Sequence, residues 1–128
     1  MNKSVMTQLW LLNEEAKKAW LDEGHIEGVI LEPYLLKVLN HIKQNTTFKK
    51  EQLKYFHDLI IDGSLGPFEI IVFCMRELQW QEVATMAQER SKATNDPRTI
   101  SVMQNILAVY EEDWEDSDLY EYYSKTIE

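Results

Sequence analysis

Six consecutive residues, Ile70 to Met75, offer only apolar side chains, and this run constrains the fold more than any other stretch of the chain. An element that is apolar on nearly every side has to be covered on most of them, so the flanking segments are expected to pack around it. Its β-branched residues leave a strand open as an alternative. We predict a helix, because Pro67 suits a first helical residue, Glu69 suits the positive end of a helix dipole, and no other segment alternates at period two.

The other segments show helical spacing of apolar residues, bounded by capping residues, glycines and prolines. We predict a first helix from Ser4 to about Asp22, a second opened by Glu32-Pro33, a third capped by Thr47 and ending at Asp62-Gly63, a fifth after Trp80, a sixth opened by Asp96-Pro97, and a short last turn capped by Ser117.

Each predicted helix has an inward face. These faces are Leu9, Leu12, Ala16, Ala19 and Trp20 in the first helix, Leu35, Leu36, Leu39 and Ile42 in the second, and Phe48, Leu53, Phe56 and Ile60 in the third. The fifth helix carries Val83, Ala84, Ala87 and then Arg90, and the sixth carries Ile100, Met103, Leu107 and Tyr110. In the first helix Asn13, Glu14, Lys17 and Lys18 are predicted to face solvent, whereas Trp10, Trp20 and Trp80 are predicted to lie in the core.

The patterns predict an all-α fold, with residues 1–128 as a single domain built as a compact bundle of six or seven helices. The few glycines (4) and prolines (3) also disfavour the many tight turns of an all-β fold. Pro33, Pro67 and Pro97 open successive helices 34 and 30 residues apart, so stacked αα-hairpins are an alternative. The repeats share only that proline, which favours an irregular bundle.

No catalytic or metal-binding motif is recognisable in the sequence. His25, His41 and His57 lack the glutamates and cysteines that di-iron and zinc sites require at fixed spacing. Cys74 is the only cysteine and lies within the apolar run, which indicates a small buried hydrophobe rather than a nucleophile. We therefore predict no catalytic residue, no cofactor and no metal. A small enzyme remains an alternative that requires a pocket of converging polar side chains around a histidine.

The negative charge of the chain is concentrated in one segment. The formal net charge is −9, and residues 111–128, here called the acidic segment, carry eight acidic residues and one lysine. So acidic a chain is not expected to bind nucleic acid directly, because such binding depends on Lys and Arg. Acidic and aromatic residues together are typical of a docking surface for a basic partner, although a solvated end is an equal alternative. The predicted contacts are Glu111, Glu112, Asp113, Trp114, Glu115, Asp116, Asp118 and Tyr120.

In its small size, acidity and helical pattern, with the stretches LGPFEIIVFCMRELQW and EEDWEDSDLYEYY, the chain resembles bacterial immunity proteins of the contact-dependent growth inhibition type. That resemblance implies a cytosolic, non-enzymatic inhibitor that binds a cognate toxin domain, often a nuclease. A helical adaptor or scaffold is the alternative function. The first twenty residues are too polar for a signal peptide or a membrane span, which favours the cytosol.

Overall fold

The computed structural model of the chain describes residues 2–22 and 31–111, and these residues fold into six α-helices. The helices are α1 (Asn2–Asp22), α2 (Glu32–Gln44), α3 (Lys49–Ile61), α4 (Glu69–Leu78), α5 (Gln81–Lys92) and α6 (Pro97–Ala108). Short 3-10 turns at Thr46–Phe48 and Gly63–Leu65 flank α3. No strand occurs within the described ranges, so the predicted all-α fold is confirmed. The predicted last turn at Ser117 lies outside them.

The apolar run forms α4, as predicted. Its buried side is made by Ile70, Ile71, Cys74 and Met75, each at most 1% exposed, whereas the other two residues of the run are half-buried. The helix begins at Glu69, so Pro67 precedes it and is not its first residue. Within α4 the spacing i, i+1, i+4, i+5 gives one fully buried face, and the half-buried residues extend the apolar surface on either side of that face.

The described helices form an irregular bundle. The closest packing is between α1 and α2, α2 and α4, α3 and α5, and α5 and α6. The proline spacing would instead pair α2 with α3 and α4 with α5, and those pairs make at most minor contacts. The shared core draws on all six helices, through Leu9, Ile42, Phe56, Ile70, Met75, Val83 and Ile106 among others. Trp10, Trp20 and Trp80 are half-buried and pack against that core.

The prolines mark helix starts more reliably than the predicted hydroxyl caps do. Pro33 lies in the first turn of α2, and Pro97 is the first residue of α6, where the carboxylate of Asp96 accepts a hydrogen bond from the Thr99 amide. Ser4 lies inside α1, which already begins at Asn2, so its predicted capping role is wrong.

Thr47 was also predicted to cap a helix, but Phe48 holds the position before α3, and Thr47 sits within the preceding 3-10 turn. This turn is fastened by a buried side chain. The amide nitrogen of Gln52 donates to the carbonyls of Asn45 at 2.9 Å and of Ile42 at 3.3 Å. Backbone groups between α2 and α3 therefore find partners without a hydroxyl cap.

Two predicted helix faces need correction. Asn13, predicted to face solvent, is fully buried, and Leu36, predicted to face inward, is 46% exposed. In α2 the buried residues are Leu35, Val38, Leu39 and Ile42, a strict i, i+3, i+4, i+7 stripe that leaves Leu36 outside. In α1, position 13 lies on the stripe between Leu9 and Ala16, so position in the helix outweighs the polarity of the side chain.

Candidate functional site

Of the predicted contact residues in the acidic segment, the structure describes one. Glu111 is exposed, and its amide donates to the carbonyl of Ala108, one turn beyond the end of α6. The other predicted contacts, Glu112, Asp113, Trp114, Glu115, Asp116, Asp118 and Tyr120, lie outside the described residues.

The residues that immediately precede the acidic segment are held by hydrogen bonds. Gln79, in the left-handed conformation at φ 53°, donates from its side-chain amide to the carbonyls of Met75 (2.8 Å) and Val109 (3.1 Å). The hydroxyl of Tyr110 donates to the carbonyl of Trp80 at 2.9 Å. The residues just before Glu111 are therefore tied to the junction of α4 and α5.

Charge on the described residues is nearly balanced. They include 13 acidic and 12 basic residues, and several form ion pairs across the surface. Such pairs join Glu15 to Lys37, Glu77 to Lys43 and Glu82 to Lys49. By contrast, residues 112–128 contain seven acidic residues and one lysine. Most of the surplus negative charge of the chain thus belongs to residues that follow α6.

Neither the thiol of Cys74 nor the described histidines lie in surroundings typical of a catalytic or metal site. Cys74 is fully buried, and this burial raises the pKa of its thiol far above the usual value, as expected for a buried hydrophobe. His41 bonds through Nε2 to the carbonyl of Val5 at 3.0 Å and so links α2 to α1. His57 is exposed on α3, and His25 lies outside the described residues. No group of three metal-ligating side chains occurs within the described ranges.

A concave apolar surface, which the sequence did not reveal, lies among α1, the end of α3, the loop before α4, and α6. The cavity has a volume of about 710 Å³. Its lining includes the buried side chains of Leu59, Ile60, Ile71, Met103 and Ile106. It also includes Leu21 and Ile61, which are 55% and 49% exposed and are two of the four most exposed large hydrophobic residues described.

One wall of this cavity is the loop of residues 63–68, and α1 holds that loop in place. The buried side chain of Asn13 donates from Nδ2 to the carbonyl of Leu65 and accepts at Oδ1 from the hydroxyl of Tyr55, both at 2.8 Å. A Cβ on Gly66 would lie 2.9 Å from Asn13 Oδ1, so only glycine lets the loop approach this closely. Asn13 therefore connects α1, α3 and the loop.

Among the residues that the structure describes, the charged ones that line the cavity are all basic. They are Lys17 of α1, Arg90 of α5 and Arg98 of α6, and we call the cavity with these three residues the basic groove. Lys17 and Arg90 are half-buried, whereas Arg98 is exposed. The Nε of Arg90 is buried and has no hydrogen-bond acceptor within the part of the chain that the structure describes. A buried donor without an acceptor is uncommon in folded proteins.

None of the described helices is long and apolar enough to cross a bilayer. Comparisons of the chain with protein-family models, with curated protein sequences and with solved structures found no match.

Proposed function

We propose that this protein is a cytosolic, non-enzymatic inhibitor that binds a basic protein partner through the acidic segment. The partner class that suits it best is a bacterial toxin or nuclease domain, whose phosphate-binding cleft a row of carboxylates would occupy in place of a nucleic-acid backbone. The observation that carries the proposal is the separation of charge. The helices are close to neutral, and the unbalanced carboxylates follow the anchored end of α6 together with Trp114 and three tyrosines.

This arrangement suits inhibition for a physical reason. A field of one sign steers an oppositely charged partner and raises the rate of encounter, while aromatic side chains supply rigid contact area at an interface. The hydrogen bonds of Gln79 and Tyr110 set a fixed starting point for the segment, since they tie Val109 and Tyr110 to the junction of α4 and α5.

Co-expression tests the proposal. A basic domain encoded beside this chain should arrest bacterial growth when expressed alone, and co-expression of this chain should restore growth. The variant D113N/E115Q/D116N should lose this protection. The matched control E14Q/E32Q/E89Q removes the same charge from exposed positions on the helices and should keep it. Equal protection by both variants would contradict the assignment of the acidic segment.

A helical adaptor is the second candidate, and the concave basic groove favours it. An adaptor would bind its partner through the helices, so the partner would still bind after neutralisation of Asp113, Glu115 and Asp116. The inhibitor requires those carboxylates. A pull-down with the two triple variants, followed by mass spectrometry, distinguishes the two functions.

A further inference from the structure

We propose that the basic groove is a binding site for an amphiphilic carboxylate, a molecule with an elongated apolar body and one anionic head, of the chemical class of the fatty acids. The site is separate from the acidic segment, and the proposal does not depend on the inhibitory function. It rests on the size of the groove, its apolar lining, the sign of its charges and the unsatisfied donor of Arg90.

The size and lining of the groove suit a small apolar ligand. Its volume of about 710 Å³ lies within the range of roughly 300–1,000 Å³ that is typical of small-molecule sites. Leu59, Met103 and Ile106 give it a buried apolar floor, and Leu21 and Ile61 leave about half of their surface exposed at its side. An apolar body in the groove would remove part of that exposed surface from water, which is favourable.

The charges of the groove select the head group. Lys17, Arg90 and Arg98 come from three different helices, and no described lining residue is acidic, although the described helices as a whole are nearly neutral. Two nearby carboxylates interact electrostatically with two of these cations. Asp62 interacts with Lys17, and Asp96 interacts with Arg98. The three cations outnumber these two carboxylates, and the excess of positive charge beside an apolar surface favours a ligand that carries negative charge.

Arg90 provides the most specific contact. The buried Nε of its guanidinium group has no hydrogen-bond acceptor among the described residues. A carboxylate binds a guanidinium group through two parallel hydrogen bonds, and in one of the two possible arrangements Nε is one of the donors. A change of rotamer that turns the Nε of Arg90 toward the groove would let the anionic head of the ligand supply the acceptor that this atom lacks.

Calorimetric titration of the full chain with three probes of equal chain length tests this proposal. The probes are dodecanoate, dodecan-1-ol and dodecyltrimethylammonium, each used below the concentration at which it forms micelles. We expect one dodecanoate per chain, bound at least about tenfold more tightly than the neutral and cationic probes, because only it satisfies the groove cations. Equal affinity for the three probes, or uptake that does not saturate at one molecule, would overturn the proposal.

Variants locate the binding site. Arg98→Gln changes an exposed residue and should fold normally, and it should weaken dodecanoate binding by about threefold or more. Val102→Trp adds bulk to the lining and should reduce binding further. Lys50→Gln removes the same charge from an exposed position of α3 outside the groove and should leave binding unchanged. Equal effects of Arg98→Gln and Lys50→Gln would refute the location.

An acidic peptide is the alternative ligand for the groove, and a competition titration distinguishes it from dodecanoate. A synthetic peptide of residues 112–128 is titrated into the chain with and without dodecanoate. We expect the peptide to leave dodecanoate binding unchanged. If the peptide displaces dodecanoate and binds more tightly than it does, the groove is a peptide site and the proposal is wrong.

Discussion

Gly66→Ala tests how the wall of the basic groove is built. The added Cβ would lie 2.9 Å from Oδ1 and 3.2 Å from Nδ2 of Asn13, and both of these atoms already make hydrogen bonds. The Asn13 side chain therefore has to give up hydrogen-bond geometry to Leu65 or Tyr55, or the loop has to move away from α1. The backbone of Gly66 itself imposes no strain, because its φ of 178° is ordinary extended geometry.

Two opposing contributions set the expected magnitude. Replacement of glycine by alanine at an unstrained position stabilises the folded protein by about 0.4–1 kcal/mol, because alanine reduces the conformational entropy of the unfolded chain. Forcing a methyl group into a packed site costs about 1–3 kcal/mol. The overpacking contribution is larger here, because the nearest atoms belong to a buried, hydrogen-bonded amide and not to the end of a flexible side chain. We expect Gly66→Ala to lower the free energy of unfolding by about 1–2 kcal/mol.

Urea unfolding followed by circular dichroism measures this change, with two further variants for comparison. Gly63→Ala is the matched control in the same loop, since its Cβ would meet no atom within 4 Å, and it should be neutral or slightly stabilising. Asn13→Ala leaves the Leu65 carbonyl and the Tyr55 hydroxyl without their partner, so it should cost about 2–4 kcal/mol.

The combination of the two changes is the decisive measurement. Asn13→Ala removes the atoms that the new Cβ would meet, so the double variant should be no less stable than Asn13→Ala alone, which corresponds to a coupling of at least about 1–2 kcal/mol, the cost of Gly66→Ala by itself. If the two costs add to within about 0.5 kcal/mol, the contact between Gly66 and Asn13 does not determine the position of the loop.

Three further predictions follow from single contacts. Tyr110→Phe removes the hydrogen bond to the Trp80 carbonyl and should cost about 1 kcal/mol in urea unfolding, whereas an unchanged midpoint would mean that this bond does not hold the end of α6. Asp96→Ala removes the cap of α6 and should destabilise the fold. The hydrogen bond from the Thr99 hydroxyl holds the pKa of Asp96 below its usual range, so this stabilisation is present above the pKa of an unfolded Asp. It should fade as the pH falls through the folded value; a difference between variant and parent that persists in acid would contradict this. Cys74 should resist a thiol reagent in the native protein and react once guanidinium chloride unfolds it, and rapid native labelling would contradict its burial.

Helix starts and core stripes were readable from the sequence where local chemistry determines them. Asp96-Pro97 and Glu32-Pro33 mark helix starts because proline fits a first turn and lacks the amide that a helix start leaves unpaired. The apolar run at 70–75 was expected to be helical in part because Glu69 suits the positive end of a helix dipole, and Glu69 is the first residue of α4. These features depend on residues close together in the chain.

Features that depend on distant residues were not readable in this way. Asn13 was assigned to the solvent side by its polarity, and its burial follows only from partners 42 and 52 residues away, Tyr55 and Leu65. The basic groove likewise gathers Lys17, Arg90 and Arg98 from three helices, and nothing in their spacing along the sequence connects them. The role of the acidic segment remains a prediction, because the structure describes only Glu111 of it.

The dissociation constant between this chain and a basic domain encoded beside it, measured over a range of salt concentrations, tests the central claim most directly. Exposed charges are screened over about 8 Å at physiological ionic strength, so an interface built on the acidic segment should weaken steadily as salt is added. The variant D113N/E115Q/D116N should bind at least about tenfold less tightly at low salt and should show a weaker dependence on salt. A dissociation constant that is insensitive to salt, and equal for the two proteins, would contradict the claim that the acidic segment binds the partner.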